Sequence, residues 1–81
     1  MRLKVTFYSY FKELTGCSQT FVDVTSGTTL GQLLEEVIFQ FPKLGQMRKS
    51  MLAAVGVDYQ DAAYVLNPGD EISLFPPVQG G

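Results

Sequence analysis

The side chains that most often carry catalysis are scarce in this sequence. It contains no histidine and a single cysteine, Cys17, which excludes Ser-His-Asp and Cys-His catalysis, the commonest metal sites and dithiol redox chemistry. A lone thiol just after a turn is more often incidental than reactive, so we expect Cys17 to be dispensable; a role as a relay thiol is the alternative. Any chemistry of this chain must therefore use other groups.

The acidic residues and the glycine-rich turn do not form a recognisable catalytic motif. Glu35-Glu36 and Asp70-Glu71 are sequence neighbours, and adjacent residues do not face each other on a helix or a strand, so neither is an acid-base pair. The segment from Gly27 to Gly31 lacks both the Gly-Lys-Ser/Thr ending of a P-loop and the G-x-G-x-x-G spacing. We interpret it as a turn that leads into a helix.

The unusual feature is the ending, Phe75-Pro76-Pro77-Val78-Gln79-Gly80-Gly81, which has no charged side chain. The two prolines favour an extended conformation and so reduce the entropy lost on insertion into a slot, about 1–2 kcal/mol per ordered residue. Gly80 and Gly81 can enter a space too narrow for a Cβ atom. The six residues after Phe75 reach roughly 20 Å when extended. The ending therefore suits delivery of the Gly81 carboxyl group into the active site of another protein.

Such a carboxyl group needs activation from outside. A free carboxylate is an anion at neutral pH and a poor acyl donor until one oxygen becomes a good leaving group. Because the sequence has no nucleotide-binding motif, we expect a separate ATP-using enzyme to activate Gly81. The chain is then a carrier between partners, with no bound cofactor and no catalysis of its own.

Length and charge narrow the class of protein. With 81 residues, 46% of them hydrophobic, the chain can form one core but not two. A net charge of −2 argues against nucleic acid and against an anionic membrane, because both require clustered Lys and Arg. The local basic cluster of Lys43, Arg48 and Lys49 is expected to be a solvated face. No apolar stretch approaches the about 20 residues that span a bilayer, and no signal-peptide pattern is found, so we expect a cytoplasmic protein.

Two strands and a short helical turn are predicted near the start. Apolar residues alternate with polar ones at Leu3, Val5 and Phe7, as in a strand with one buried face. Residues 20–24, rich in β-branched side chains, predict a second strand. Between them, residues 9–14 are predicted to form a helical turn with Ser9 as N-cap and Gly16 at its end.

The clearest element is one amphipathic helix. Its apolar stripe is formed by Leu30, Leu33, Leu34, Val37, Ile38 and Phe41. Thr29 and Gln32 have the spacing of a capping box, and Pro42 is expected to end the helix at Phe41. Gly31 weakens the first turn.

More strands follow the helix. The candidates are residues 52–57, 64–66 and 71–75. Asn67-Pro68-Gly69-Asp70 is a turn sequence. A single amphipathic helix can bury its stripe only against a sheet, which predicts a two-layer α+β domain. We expect residues 1–75 to form this domain and residues 76–81 to form a flexible extended tail.

The sequence resembles the small subunits of molybdopterin synthases, sulfur carriers of the MoaD/ThiS family. The likeness is closest over residues 67–81, where the Pro-Pro and Gly-Gly pairs are the specific part, and it includes residues 7–16, 29–33 and 52–55. The resemblance implies a ubiquitin-like β-grasp fold, in which the first and last strands pair in parallel at the centre of a mixed sheet packed on one main helix.

The resemblance also implies a sequence of reactions at Gly81. An E1-like adenylyltransferase adenylates this glycine with ATP, and sulfur from a persulfide donor converts it to a thiocarboxylate. The tail then enters the large synthase subunit, where the sulfur passes to cyclic pyranopterin monophosphate (precursor Z) in molybdenum cofactor biosynthesis. Two carriers are expected at opposite ends of a large-subunit dimer, a heterotetramer.

Roles for individual residues follow from the same resemblance. Gly81 carries the sulfur and Gly80 permits entry, while the contact with the partner is expected from Phe75, Phe7, Pro76, Pro77 and Val78. For Phe7 a place in the core is the alternative, because Leu3 and Val5 look buried. Gly56 departs from the family, which commonly has Asn there.

Three other functions remain open at this point. A thiamine-pathway sulfur carrier shares the fold and the Gly-Gly end but usually lacks Pro-Pro before it. A ubiquitin-like modifier joined to lysines through Gly81 would use the same activation. A plain interaction module would have an inert tail, and removal of Gly81 would then change nothing.

Overall fold

The computed structural model describes residues 1–77, so the predictions made for Val78, Gln79, Gly80 and Gly81 lie outside the described residues. The elements are β1 (Arg2–Phe7), α1 (Phe11–Thr15), β2 (Gln19–Asp23), α2 (Leu30–Gln40), a 3-10 helix (Pro42–Met47), β3 (Leu52–Val55), β4 (Asp58–Tyr59) and β5 (Glu71–Phe75). The predicted two-layer α+β architecture is confirmed.

The five strands form one mixed sheet in the order β2-β1-β5-β3-β4. β1 and β5 are parallel, with Val5 opposite Ile72, and the other pairs are antiparallel. The first and last strands therefore lie side by side at the centre, as the resemblance to the β-grasp fold implied. Parallel pairing brings the carboxyl ends of both strands to one edge of the sheet.

The core lies between the sheet and α2. The sheet contributes Leu3, Val5, Phe7, Ile72 and Leu74, and the helix contributes Leu30, Leu33, Val37 and Ile38, all buried. The two remaining residues of the predicted stripe, Leu34 and Phe41, are half-buried and pack against this cluster. The Phe41 ring meets the Phe7 ring edge to face, with centroids 5.5 Å apart. The predicted stripe thus faces the sheet.

The start of α2 is held by its cap and by a neighbouring segment. Thr29 and Gln32 form the predicted capping box. The N–H of Leu30 donates to the carbonyl of Tyr64 at 2.8 Å, and that of Gly31 donates to the carbonyl of Ala62 at 3.0 Å. The first N–H groups of a helix have no partner within it, and here a crossing loop supplies their acceptors.

The strand predicted for residues 64–66 is absent from the structure, and this loop also explains why position 31 is a glycine. Residues 64–66 do not form a strand but contribute an isolated bridge between Val65 and Thr29, because their backbone groups bond to the start of α2. The approach is close at Gly31, where a Cβ atom would lie 2.9 Å from Cβ of Ala62 and 3.2 Å from its carbonyl oxygen. Gly31 therefore allows the helix and the loop to meet.

The prediction for the start of α1 is wrong, and the prediction for its end is right. Ser9 is not an N-cap: its φ is +56°, and α1 begins at Phe11 after Tyr10, with no side-chain cap. The predicted end at Gly16 is confirmed, since its φ is 76° and its N–H donates to the carbonyl of Lys12 at 2.8 Å.

The predicted strand over residues 52–57 is interrupted by a tight turn. Gly56 has φ +62°, so β3 ends at Val55 and the chain reverses into β4. Glycine and asparagine are the residues that adopt this left-handed conformation most readily. The departure from the family at Gly56 therefore keeps the backbone preference of the turn.

Candidate functional site

The start of the tail is fixed by the two central strands. The N–H of Tyr8, just after β1, donates to the carbonyl of Leu74 at 3.1 Å. Phe75 ends β5, and Pro76 and Pro77 follow it. β1 and β5 are interior strands with a hydrogen-bonded neighbour on each side. The tail therefore begins at a strand that is held on both sides.

Strand alternation turns Phe75 away from the helix. Ile72 and Leu74 are buried under α2, so Phe75 lies on the opposite face, and Tyr8 is related to the buried Phe7 in the same way. The Tyr8 and Phe75 rings stack with centroids 4.7 Å apart. The Tyr59 ring meets the Phe75 ring at 65°, with centroids 6.1 Å apart.

These residues and one leucine form an exposed apolar surface. Leu52 lies opposite Phe75 in the pairing of β3 with β5. Tyr8, Leu52 and Tyr59 are 41%, 37% and 67% exposed. We call Tyr8, Leu52, Tyr59 and Phe75 the tail-base patch. Aromatic side chains that pack closely and remain exposed are typical of protein interfaces.

A shallow depression overlaps the tail-base patch. Its volume is about 420 Å³, and its walls are Ser9, Tyr10, Leu52, Tyr59, Phe75, Pro76 and Pro77. The first two tail residues thus lie against the domain, with the turn after β1 and residues of β3 and β4 around them. Phe75, Pro76 and Pro77 are half-buried, so all three keep surface that a partner can contact.

Phe7 lies elsewhere. Its side chain is 0% exposed and packs against Phe41, so the core is the alternative that the structure supports and Phe7 has no surface for a partner. The outward aromatic residue of this strand end is Tyr8. Sequence reasoning missed Tyr8, Leu52 and Tyr59, although the alternation that marks Phe7 as inward also marks Tyr8 as outward.

Two ion pairs lie outside the tail-base patch. The Lys4 Nζ and Glu71 Oε1 atoms lie 3.6 Å apart on the same face of the sheet. In the basic cluster, Arg48 pairs with Glu35 of α2, and both side chains are about half exposed. Exposed pairs of this kind contribute little to stability, about 0–1 kcal/mol.

Residues 1–77 contain no group of three or more His, Cys, Asp or Glu side chains that could hold a metal ion. Cys17 is half-buried, and its Sγ lies 3.8 Å from the Thr15 hydroxyl. None of the helices within these residues is long and apolar enough to cross a membrane.

Comparison with known proteins identifies the family. The ThiS family model matches residues 5–81. The chain belongs to the ThiS family. Curated relatives of this ThiS-family chain are named molybdopterin synthase sulfur carrier subunits. That of Homo sapiens is 31% identical over 83 residues, covering 99% of this chain and 94% of the relative. That of Mycobacterium tuberculosis is 27% identical over 84 residues, covering 100% of this chain and 99% of the relative.

Solved structures agree with the ThiS-family assignment. SAMP1 from Haloferax volcanii superimposes with a TM-score of 0.89 at 22% identity, with both chains covered in full, which shows the shared ubiquitin-like β-grasp fold. A protein complex of subunits 1 and 2 of molybdopterin-converting factor from Helicobacter pylori contains a chain that matches with a TM-score of 0.73 at 27% identity, again with both chains covered in full.

Proposed function

We propose that this chain is the sulfur-carrying small subunit of a molybdopterin synthase and that the Gly81 carboxyl group carries the sulfur as a thiocarboxylate. The observation that supports this most strongly is the placement of the tail. The central strand β5 ends at Phe75 in an exposed aromatic patch, and Pro-Pro-Val-Gln-Gly-Gly follows. The family membership and the names of the relatives agree with this role.

The proposed reactions divide between this chain and its partners. An E1-like adenylyltransferase uses ATP to adenylate Gly81, with release of pyrophosphate. The outer sulfur of a persulfide then displaces AMP to form an acyl disulfide, and a thiol reductant cleaves its S–S bond, releasing the Gly81 thiocarboxylate and leaving a disulfide. This chain contributes the acyl group and no catalytic side chain. A thiocarboxylate suits transfer because sulfur is far more nucleophilic than a carboxylate oxygen. No cofactor bound by this chain is part of the proposal.

The large synthase subunit is the proposed acceptor of the tail. Gly80 and Gly81, lacking Cβ atoms, would enter its active site and pass sulfur to cyclic pyranopterin monophosphate, in a heterotetramer with two carriers. The domain would dock through the tail-base patch, where Phe75 is stacked on Tyr8. An aromatic ring already held by its neighbours loses little side-chain entropy on binding, which favours it as an anchor.

Docking and chemistry have separate requirements in this proposal. The tail-base patch supplies affinity through buried apolar surface, while the last residues supply the reacting group. Changes in the patch should therefore weaken binding without changing the chemistry at Gly81. Changes at Gly81 should abolish transfer without changing the fold.

Mass spectrometry tests the first step directly. The purified chain is incubated with ATP, an E1-like adenylyltransferase, a persulfide donor and a thiol reductant, and each is left out in turn. The proposal expects a gain equal to one exchange of oxygen for sulfur, located by fragmentation at Gly81. Attachment of the chain to lysine amines of other proteins, with no stable thiocarboxylate, would favour a protein modifier instead.

A further inference from the structure

The turn after β1 holds an unusual backbone conformation beside the tail. Ser9 has φ +56° and is the one non-glycine residue within residues 1–77 with a positive φ. Serine adopts this left-handed region at a cost in free energy, so the surrounding structure must enforce it. Glycine occupies the other positive-φ positions of the described chain.

The bonds around Ser9 show how the turn is enforced. On one side, the Tyr8 N–H donates to the Leu74 carbonyl of β5 at 3.1 Å. On the other side, the Phe11 N–H donates to the Tyr8 carbonyl at 3.2 Å, and the Lys12 N–H donates to the Ser9 carbonyl at 3.2 Å. Phe11 is 0% exposed. The turn is thus fastened to the sheet at one end and to the core at the other.

The turn places Tyr10 at the depression that the first residues of the tail also line. Tyr10 lines the same depression as Pro76 and Pro77, with Tyr59 also in its wall. The ring is 37% exposed and meets the Phe11 ring edge to face, with centroids 5.5 Å apart. Tyr10 is therefore held in place by a buried neighbour without belonging to the core.

We propose that Tyr10, held by the left-handed turn at Ser9, is a positioning residue for the tail. Its ring limits the orientation of Pro76 and Pro77, which line the same depression and begin the tail. This inference rests on the proposed sulfur-carrier function and deepens it. It assigns control of the orientation of the tail to a residue that belongs neither to the tail nor to the tail-base patch. In this proposal Tyr8 and Phe75 bind the partner, and Tyr10 orients the tail.

Simple geometry shows why direction matters. The four residues after Pro77 span about 13 Å when extended. A change of about 10° at Pro77 then displaces the end of such a chain by about 2 Å. A misplacement of about 1 Å in a reacting group can reduce a rate by about 100-fold. A small change of angle at the base of the tail therefore causes a large displacement of its reacting end.

The test compares Tyr10→Ala with Tyr10→Phe, which keeps the ring. Carriers already loaded with sulfur are mixed with saturating large subunit, and transfer is followed in a single turnover; the dissociation constant is measured separately. We expect Tyr10→Ala to lower the transfer rate at saturation by about tenfold while the dissociation constant changes less than about twofold. We expect Tyr10→Phe to retain the wild-type rate. An unchanged rate at saturation for Tyr10→Ala, or an effect on affinity alone, would overturn the proposal.

A second measurement does not depend on sulfur transfer. Pro76 and Pro77 lack an amide proton, so Val78 is the first tail residue after Phe75 that reports by ¹⁵N relaxation. We expect its order parameter to fall in Tyr10→Ala by on the order of 0.1, on a scale where rigid backbone is about 0.85, and to be retained in Tyr10→Phe. No change at Val78 would contradict positioning even if the chain carries sulfur. A change at Val78 in a chain that cannot be loaded would leave the positioning intact and defeat the proposed function.

Discussion

Tyr8 and Phe75 stack at the carboxyl ends of the two central strands, with their ring planes inclined by 14°. One ring follows the first strand of the chain and the other ends the last strand. The pair therefore ties the start of the domain to the base of the tail. Nearer the start of the same two strands, Lys4 and Glu71 form an ion pair, so these strands carry an aromatic pair at the tail end and an ion pair away from it.

The tail-base patch is expected to bind the large subunit through Phe75. Phe75→Ala should weaken binding by roughly 1–3 kcal/mol, about 5- to 150-fold in the dissociation constant, because it removes a central aromatic anchor. Isothermal titration calorimetry measures the effect. Phe21→Ala is the matched control, since Phe21 is 46% exposed on the same sheet but lies on the edge strand β2. Equal affinity of Phe75→Ala and wild type would remove Phe75 from the interface.

Gly31 is expected to be needed for the contact between α2 and the loop at Ala62. Gly31→Ala should lower the free energy of unfolding by about 1–2 kcal/mol, because the strain of a Cβ placed 2.9 Å from the Ala62 Cβ outweighs the gain in helix propensity. Urea denaturation measures this. Gly45→Ala is the control, since its added Cβ would make an ordinary 3.7 Å contact with Ile38. Similar stabilities of the two variants would show that the close approach relaxes freely.

The elements that the sequence predicted well are those with local causes. The period of two in β1, the helical stripe and the Thr29–Gln32 capping box depend on residues close in the chain. The strand expected at residues 64–66 failed because its backbone groups bond to a helix start more than thirty positions away in the chain. Ser9 failed as an N-cap because the sheet and the buried Phe11 impose its turn.

The candidate site was predicted in part for the same reason. Phe75 could be named because it precedes the tail directly. Tyr8 and Tyr59 contact Phe75 only because four strands pair in the order β1-β5-β3-β4. The spacing of residues along the sequence does not reveal this pairing. For Phe7 the sequence left a partner contact and the core as alternatives, and the buried side chain supports the core. Tyr8 lies one position further along, and in a strand one position reverses the face to which a side chain points.

Cys17 is expected to be dispensable. Cys17→Ser should keep sulfur loading, because the half-buried thiol contacts Thr15 and a serine hydroxyl can bond to the same group. Loading is measured by mass spectrometry with ATP, the activating enzyme, the persulfide donor and a thiol reductant present. Loss of loading in a variant that remains folded by circular dichroism would make Cys17 a relay thiol for the incoming sulfur.

Gly81 is expected to be essential for transfer and unimportant for folding. Deleting it, or adding one residue after it, should abolish sulfur transfer, because the reacting carboxyl group is then misplaced or blocked. The melting temperature should stay within about 1 °C, since a terminal glycine has no side chain to bury. Thermal denaturation and a transfer assay are run on the same samples. A truncated chain that transfers sulfur normally would exclude Gly81 as the carrier.

The most direct test of the proposed function is transfer of sulfur from the loaded chain to cyclic pyranopterin monophosphate. The chain is loaded at Gly81, purified from ATP and the activating enzyme, and mixed with the pterin with and without the large synthase subunit. The account predicts that molybdopterin forms only when the large subunit is present and that the free Gly81 carboxylate returns in proportion to the sulfur delivered. Failure to form molybdopterin in the complete mixture, together with support of thiazole formation by the same loaded chain, would contradict it.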